Sequence, residues 1–280
     1  MTNSTPPLQF LQKTRLWRTV FLAFVLLGIF TDCQKVPVTG RRQFDVIPGS
    51  EMQSMSYTNY KQFLTENKVS TDAAKTAMVK RVGERIQHAV EAYMAQNNLS
   101  SELKGFSWEF NLVESNEVNA WCMPGGKVVV YTGILPVVKD ETGLAVVLGH
   151  EISHAIANHG GERMSQQLAV QTGGMALGVA LSQKPALTQQ IFAQVYNTSS
   201  NLGLLLPYSR LQESEADHLG LIFMAMAGYD PNQALDFWQR MKAQAGAKPD
   251  VYLSDHPSDD KRIADLQKEL PEALKYYKKN

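Results

Sequence analysis

An α+β fold, mostly helical with one small antiparallel sheet, is what this 280-residue sequence predicts. Three patterns carry that expectation. Ala74, Met78, Val82, Ile86 and Val90 recur at three-to-four spacing, the period of one helix face. Phe106, Trp108, Phe110 and Leu112 alternate, and the runs 118–123 and 127–131 flank Pro124-Gly125-Gly126, a hairpin signal. From Asp140 the pattern is helical almost to the end.

The elements follow in order. Lys13, Arg15 and Arg18 precede an apolar run, Val20 to Phe30, which is shorter than the roughly 20 residues of a membrane-spanning helix. Residues 1–32 therefore read as a secretory signal peptide. Cys33 stands where a bacterial lipoprotein carries its lipid, although Asp32 replaces the usual small residue before it. Residues 33–50, with Pro37, Gly40 and Pro48, read as a tether, and 51–280 as the folded domain. Ser50-Glu51 and Thr71-Asp72 are helix starts, and Asp230-Pro231 starts a late helix with proline at its first position. His88 reads as a surface or packing residue.

Lys+Arg and Asp+Glu both number 27, so the formal charge is zero and no basic excess points to nucleic acid. Two cysteines are too few for a disulfide framework.

Chemistry concentrates in Gly149-His150-Glu151-Ile152-Ser153-His154, an H-E-x-x-H pattern. On a helix, positions i and i+4 share a face, so two imidazoles can hold one Zn²⁺ and the intervening Glu151 stands beside an attacking water. A catalytic zinc takes three protein ligands and leaves one position open. Glu213 in Gln212-Glu213-Ser214-Glu215-Ala216-Asp217 is the best third ligand. Asp217, four residues on, can fix a ligand histidine from behind. Glu215 points to another side. His218 reads as a packing or surface residue, and His159 as a local structural one and not a ligand. A third histidine at the H-E-x-x-H-x-x-G-x-x-H spacing is absent, since Ala157 and Gly160 occupy those places. The residues from Thr172-Gly173-Gly174 through Leu202–Leu206 read chiefly as core packing.

These motifs, with Asn119-Ala120-Trp121, Pro124-Gly125-Gly126, Glu162-Arg163-Met164-Ser165, Tyr208-Ser209-Arg210 and His256-Pro257 before Arg262-Ile263, resemble the HExxH peptidases that include BepA, LoiP, HtpX and the CAAX prenyl protease type I. The phrase Val36-Pro37-Val38-Thr39-Gly40-Arg41-Arg42-Gln43 resembles the secreted lipoprotein members. The resemblance implies a zincin-like gluzincin domain, one Zn²⁺ per chain and peptide-bond hydrolysis with Glu151 as base. It nominates His256 either as an oxyanion donor, the favoured role, or as a gate over the metal. It also implies protein or peptide substrates, misfolded envelope proteins among them, and a periplasm-facing lipoprotein anchored in the cell envelope. The competing readings are an idle, zinc-keeping scaffold and a metallohydrolase acting on non-peptide bonds. The intact Glu151 argues against the scaffold.

Overall fold

A computed structural model describes residues 33–171, 185–196, 209–244, 252, 256 and 260–278. The signal-peptide reading (1–32) and the glycine- and leucine-rich stretches 172–174, 176–178 and 202–206 lie outside them. Among the described residues no helix is long and apolar enough to cross a membrane.

The stretch read as a tether is paired and packed. Strands β1 (Cys33–Lys35) and β2 (Arg42–Phe44) form an antiparallel ribbon with Cys33 opposite Phe44. Val36, Gln43, Asp45 and Ile47 are buried. Helix α1 (Gly49–Glu66) follows Pro48, and α2 (Ala73–Gln96) is capped by the Asp72 side chain, which accepts from the Lys75 N–H. The buried face of α2 runs from Val79 through Val82, Ile86, Val90 and Tyr93 to Met94. Ala74, placed on that face by its spacing, is exposed because the helix meets the rest of the molecule only from its second turn. His88 is exposed, as expected.

Strands β3 (Glu109–Val113), β4 (Ala120–Met123) and β5 (Lys127–Tyr131) form a sheet in the order β3-β5-β4. The β4–β5 hairpin is antiparallel as predicted, but β3 runs parallel to β5, so the sheet is mixed. Alternation fixes which face of β3 is buried and says nothing of its direction, which follows from β5 entering between β3 and β4. The turn places Gly125 and Gly126 at φ of 84° and 82°, a region that side chains rarely adopt.

A short helix α3 (Leu135–Val138) leads into α4 (Glu141–Ile156), capped by Asp140. Helix α4 is apolar around its circumference and buried from Gly143 to His154, which makes it the central rod of the core. The sheet edge β4, α2, α7 (Arg210–Met226) and α8 (Gln233–Gln244) surround it. α8 begins two residues beyond Pro231, whose preceding Asp230 instead caps the local turn at Asn232. α5 (His159–Gln171), α6 (Pro185–Tyr196) and α9 (Asp260–Ala273) complete the described helices. Fully buried aliphatic residues such as Val82, Leu144, Val147 and Ile152 each contribute about 1.5–3 kcal/mol over exposure.

The α4–α7 crossing sets the geometry of everything that follows. A Cβ on Gly149 would stand 2.9 Å from the Gly220 carbonyl oxygen, and one on Gly220 would stand 3.0 Å from the His150 nitrogen. The two backbones touch there, one residue before His150. Gly220→Val should therefore destabilise the protein by about 1–3 kcal/mol through overpacking. Urea denaturation measures this, and a variant as stable as the parent would show that the crossing has room to spare.

Candidate metal centre

Helix α4 carries His150, Glu151 and His154, and α7 carries Glu213 and Asp217 on the face turned toward α4. The predicted pairing of the two motifs is realised. One ligand atom from each of His150, His154, Glu213 and His256 lies within 4.8 Å of all the others, and all four residues are buried. His150 Nε2 is 3.0 Å from His154 Nε2 and 3.1 Å from His256 Nδ1. The Glu213 carboxylate reaches His256 Nδ1 at 3.0 Å, His154 Nε2 at 3.3 Å and His150 Nε2 at 3.5 Å.

The hydrogen-bond partners decide the tautomers. His150 Nδ1 donates to Asp217 Oδ1 at 2.9 Å, so its Nε2 presents a lone pair. Asp217 is in turn gripped by Arg262, whose Nε and Nη2 donate to its two oxygens at 2.8 and 2.6 Å. For His154 the route is one residue longer. His159 Nε2 donates to Glu215 Oε2 at 2.9 Å, which leaves His159 Nδ1 bare to accept from His154 Nδ1 at 2.8 Å. Burial lowers the affinity of His159 for a second proton against the opposing pull of Glu215, consistent with the neutral ring. His154 Nε2 therefore also presents a lone pair. Two lone pairs and a carboxylate converging in a buried space repel one another unless a cation lies between them. The donor set, two imidazoles and one carboxylate, suits Zn²⁺. The residues present fit the metal.

Burial alone would raise the Glu213 carboxyl, but His256, Arg262 and His150 outweigh it and hold it well below the usual range. Glu151 is shifted upward by burial, with His256 and His150 opposing. Among the described residues its Oε1 has no hydrogen-bond partner, and it lies 3.6 Å from His256 Nε2. His256 donates its backbone N–H to the Tyr252 carbonyl at 2.8 Å, and its ring lies against that of Tyr252. Asp255 and Pro257 lie outside the described residues.

Glu215 does point away from the ligand face, as its position on the helix predicts, but it serves the other histidine through His159. His218 pairs with Glu269 at the surface side. Sequence reasoning missed Arg262, which also meets Glu213 Oε2 at 3.0 Å and stacks over the Trp238 ring at 3.4 Å. It also missed the roles of His159 and Glu215. The Arg262-Ile263 motif was visible, but its target was not.

Comparison with known proteins identifies a family. The sequence profile described as "Peptidase family M48" matches residues 80–270. "Mitochondrial metalloendopeptidase OMA1" of Schizosaccharomyces pombe is 36% identical over 249 residues, 87% of this chain and 68% of that protein. "Metalloendopeptidase OMA1, mitochondrial" of Homo sapiens is 30% identical over 91% of this chain, which spans 49% of the human protein. The "Beta-barrel assembly-enhancing protease" of Escherichia coli is 28% identical over 57% of this chain and 34% of its own length. These matches correct the expected localisation. The relatives that align with most of this chain are mitochondrial by name, not lipoproteins of a bacterial envelope, and the bacterial relative aligns over a shorter stretch.

Arg262 is the cation between Glu213 and Asp217, and it is buried. Removing one member of such a pair leaves uncompensated charge in the interior. Arg262→Met in the metal-free protein should lower stability by about 3–5 kcal/mol. Equilibrium urea unfolding checks this, and a change below about 1 kcal/mol, the scale of an exposed pair, would count against the assignment.

Proposed function

This chain belongs to peptidase family M48, and from that membership we propose that it is a zinc-dependent metalloendopeptidase. In this reading His150, His154 and Glu213 hold one Zn²⁺ and Glu151 is the catalytic base. The observation that carries the reading is the convergence of two imidazole lone pairs and a carboxylate beside the buried Glu151 carboxylate.

Bound Zn²⁺ supplies Lewis acidity, which acidifies water and polarises a carbonyl. Glu151 takes a proton from the attacking water and returns it to the leaving amine. Its burial suits both halves of that task, since a carboxyl shifted upward releases its proton less readily to solvent and sits nearer the operating pH. Asp217 and Arg262 hold His150 in the tautomer that faces the metal. Strand β4, at the edge of the described sheet and packed on α4, offers backbone groups to an extended protein or peptide segment. A role in protein quality control, implied by the sequence resemblance, belongs to this reading.

His256 stands within the ligand cluster, not beside it, which supports the gating role over the oxyanion role favoured from sequence. Were zinc bound, His256 Nδ1 would be placed to serve as a fourth ligand, and the ring would have to move aside for substrate to enter.

Two outcomes are expected. Glu151→Gln should retain stoichiometric zinc while losing at least the 10²–10⁴-fold that general base catalysis supplies. Metal analysis together with cleavage of unfolded casein tests this, and a zinc-loaded variant with parental activity would sink the assignment. His256→Ala should raise turnover of a short peptide severalfold. A fall of about 10²–10³-fold would instead assign His256 to stabilisation of the transition state.

A further inference from the structure

We propose that Arg41, in the loop between β1 and β2, is a positioning residue for the metal ligand His154, acting through Glu215 and His159. The inference rests on the metal-binding reading above and extends it to a part of the chain that precedes the matched family region.

The observations form a continuous chain of contacts. Arg41 Nε donates to Glu215 Oε2 at 2.7 Å. Thr39 Oγ1 donates to the other oxygen, Oε1. His159 Nε2 donates to Oε2, and His159 Nδ1 accepts from His154 Nδ1. The remaining nitrogens of Arg41, Nη1 and Nη2, donate to Glu162 at 3.0 and 2.8 Å. Glu162 also accepts from Gln212 Nε2 at 2.8 Å. One guanidinium thus bridges a carboxylate on α5 and another on α7, and its planar fork matches both.

The chemical consequence lies in the tautomer. An ionised carboxylate only accepts, so Glu215 obliges His159 to carry its proton on Nε2. His159 must then accept through Nδ1, and His154 must donate through Nδ1 and turn its Nε2 lone pair to the metal. If Glu215 swings away, His159 is free to carry its proton on Nδ1. His154 would then accept at Nδ1 and place a hydrogen where the metal binds. Arg41 and Thr39 hold Glu215 on His159, and Arg41 relieves the repulsion between Glu215 and Glu162.

The test measures zinc dissociation constants of the full chain by competition with a chromophoric chelator. It adds the visible spectrum of the Co²⁺-substituted protein and the melting temperature of the metal-free protein. Arg41→Met and His159→Leu should each weaken zinc binding by about 10–100-fold, the range for outer partners of metal ligands. Arg41→Lys should fall between, because one ammonium cannot bridge both carboxylates in the same way. His159→Gln should restore affinity and the Co²⁺ spectrum, since its amide donates to Glu215 while its carbonyl accepts from His154. Unchanged zinc affinity in Arg41→Met would overturn the proposal. So would His159→Gln falling as far as His159→Leu with equal losses of melting temperature, which would mean packing alone. A parent protein that binds no zinc would instead overturn the metal-binding reading itself.

Discussion

Two helix backbones touch at Gly149 and Gly220, and the chemistry depends on how closely they approach. Each helix supplies half of a site that neither could make alone. The imidazoles of α4 lie one turn apart, and the carboxylates of α7 lie at the same spacing on the facing surface. A side chain at either glycine would press on the facing backbone and shift the helices by a few tenths of an ångström, the scale of the tolerance of a metal–ligand distance. The apolar circumference of α4 makes the approach possible, because the helix is packed on several sides at once.

Close approach brings like groups together, and the protein answers with cations behind the carboxylates. Glu213, Glu215 and Asp217 project from α7 within five residues and are all buried. Arg262 neutralises Glu213 and Asp217 from α9, and Arg41 neutralises Glu215 and Glu162 from the N-terminal ribbon. Those contacts hold Glu215 down to about 2, although burial alone would raise it, with His159, Thr39 and Arg41 doing the lowering. The stacking of Arg262 on Trp238 adds a cation–π contact that desolvation strengthens. His150 and His154 are thus each backed by a carboxylate and each of those carboxylates by an arginine, directly for His150 and through His159 for His154.

What could be read from the sequence was what the helical period encodes. His150, Glu151 and His154 declare themselves because ligands one turn apart need no tertiary knowledge, and Glu213 with Asp217 follows by the same spacing. The helices and the β4–β5 hairpin were legible for similar reasons, since Asp72, Asp140 and the two glycines of the turn are local signals. Arg262, Arg41 and the relay through His159 were hidden because their meaning lies in partners far along the chain. Glu215 was correctly placed off the ligand face, and its contact with His159 could not be read because α5 folds against that other side only in the tertiary structure. The segment 33–50 has the proline and glycine content of a linker, and composition does not show that Arg41 will find two buried carboxylates. The parallel pairing of β3 with β5 was equally invisible, because alternation specifies a face and not a direction.

The two histidines are therefore anchored differently. His150 is oriented by Asp217, a residue of the same helix as Glu213, and by Arg262, and both lie within the matched family region. Its orientation follows once α4, α7 and α9 are packed. His154 is oriented by a path that ends at Thr39 and Arg41, on a two-stranded ribbon outside that region. A two-stranded ribbon has little stability of its own. It is held here by the burial of Val36 and Ile47 and by the salt bridges of Arg41 to Glu162 and Glu215. The ribbon and the relay consequently support each other: the relay needs Arg41 in place, and the ribbon is docked in part through the same guanidinium. On the proposed relay, drawing the N-terminal segment away from the domain would act first on His154 and leave the contacts of His150 in place, so one side of the candidate metal centre is set by the packed helices and the other is coupled to the chain that leads into it.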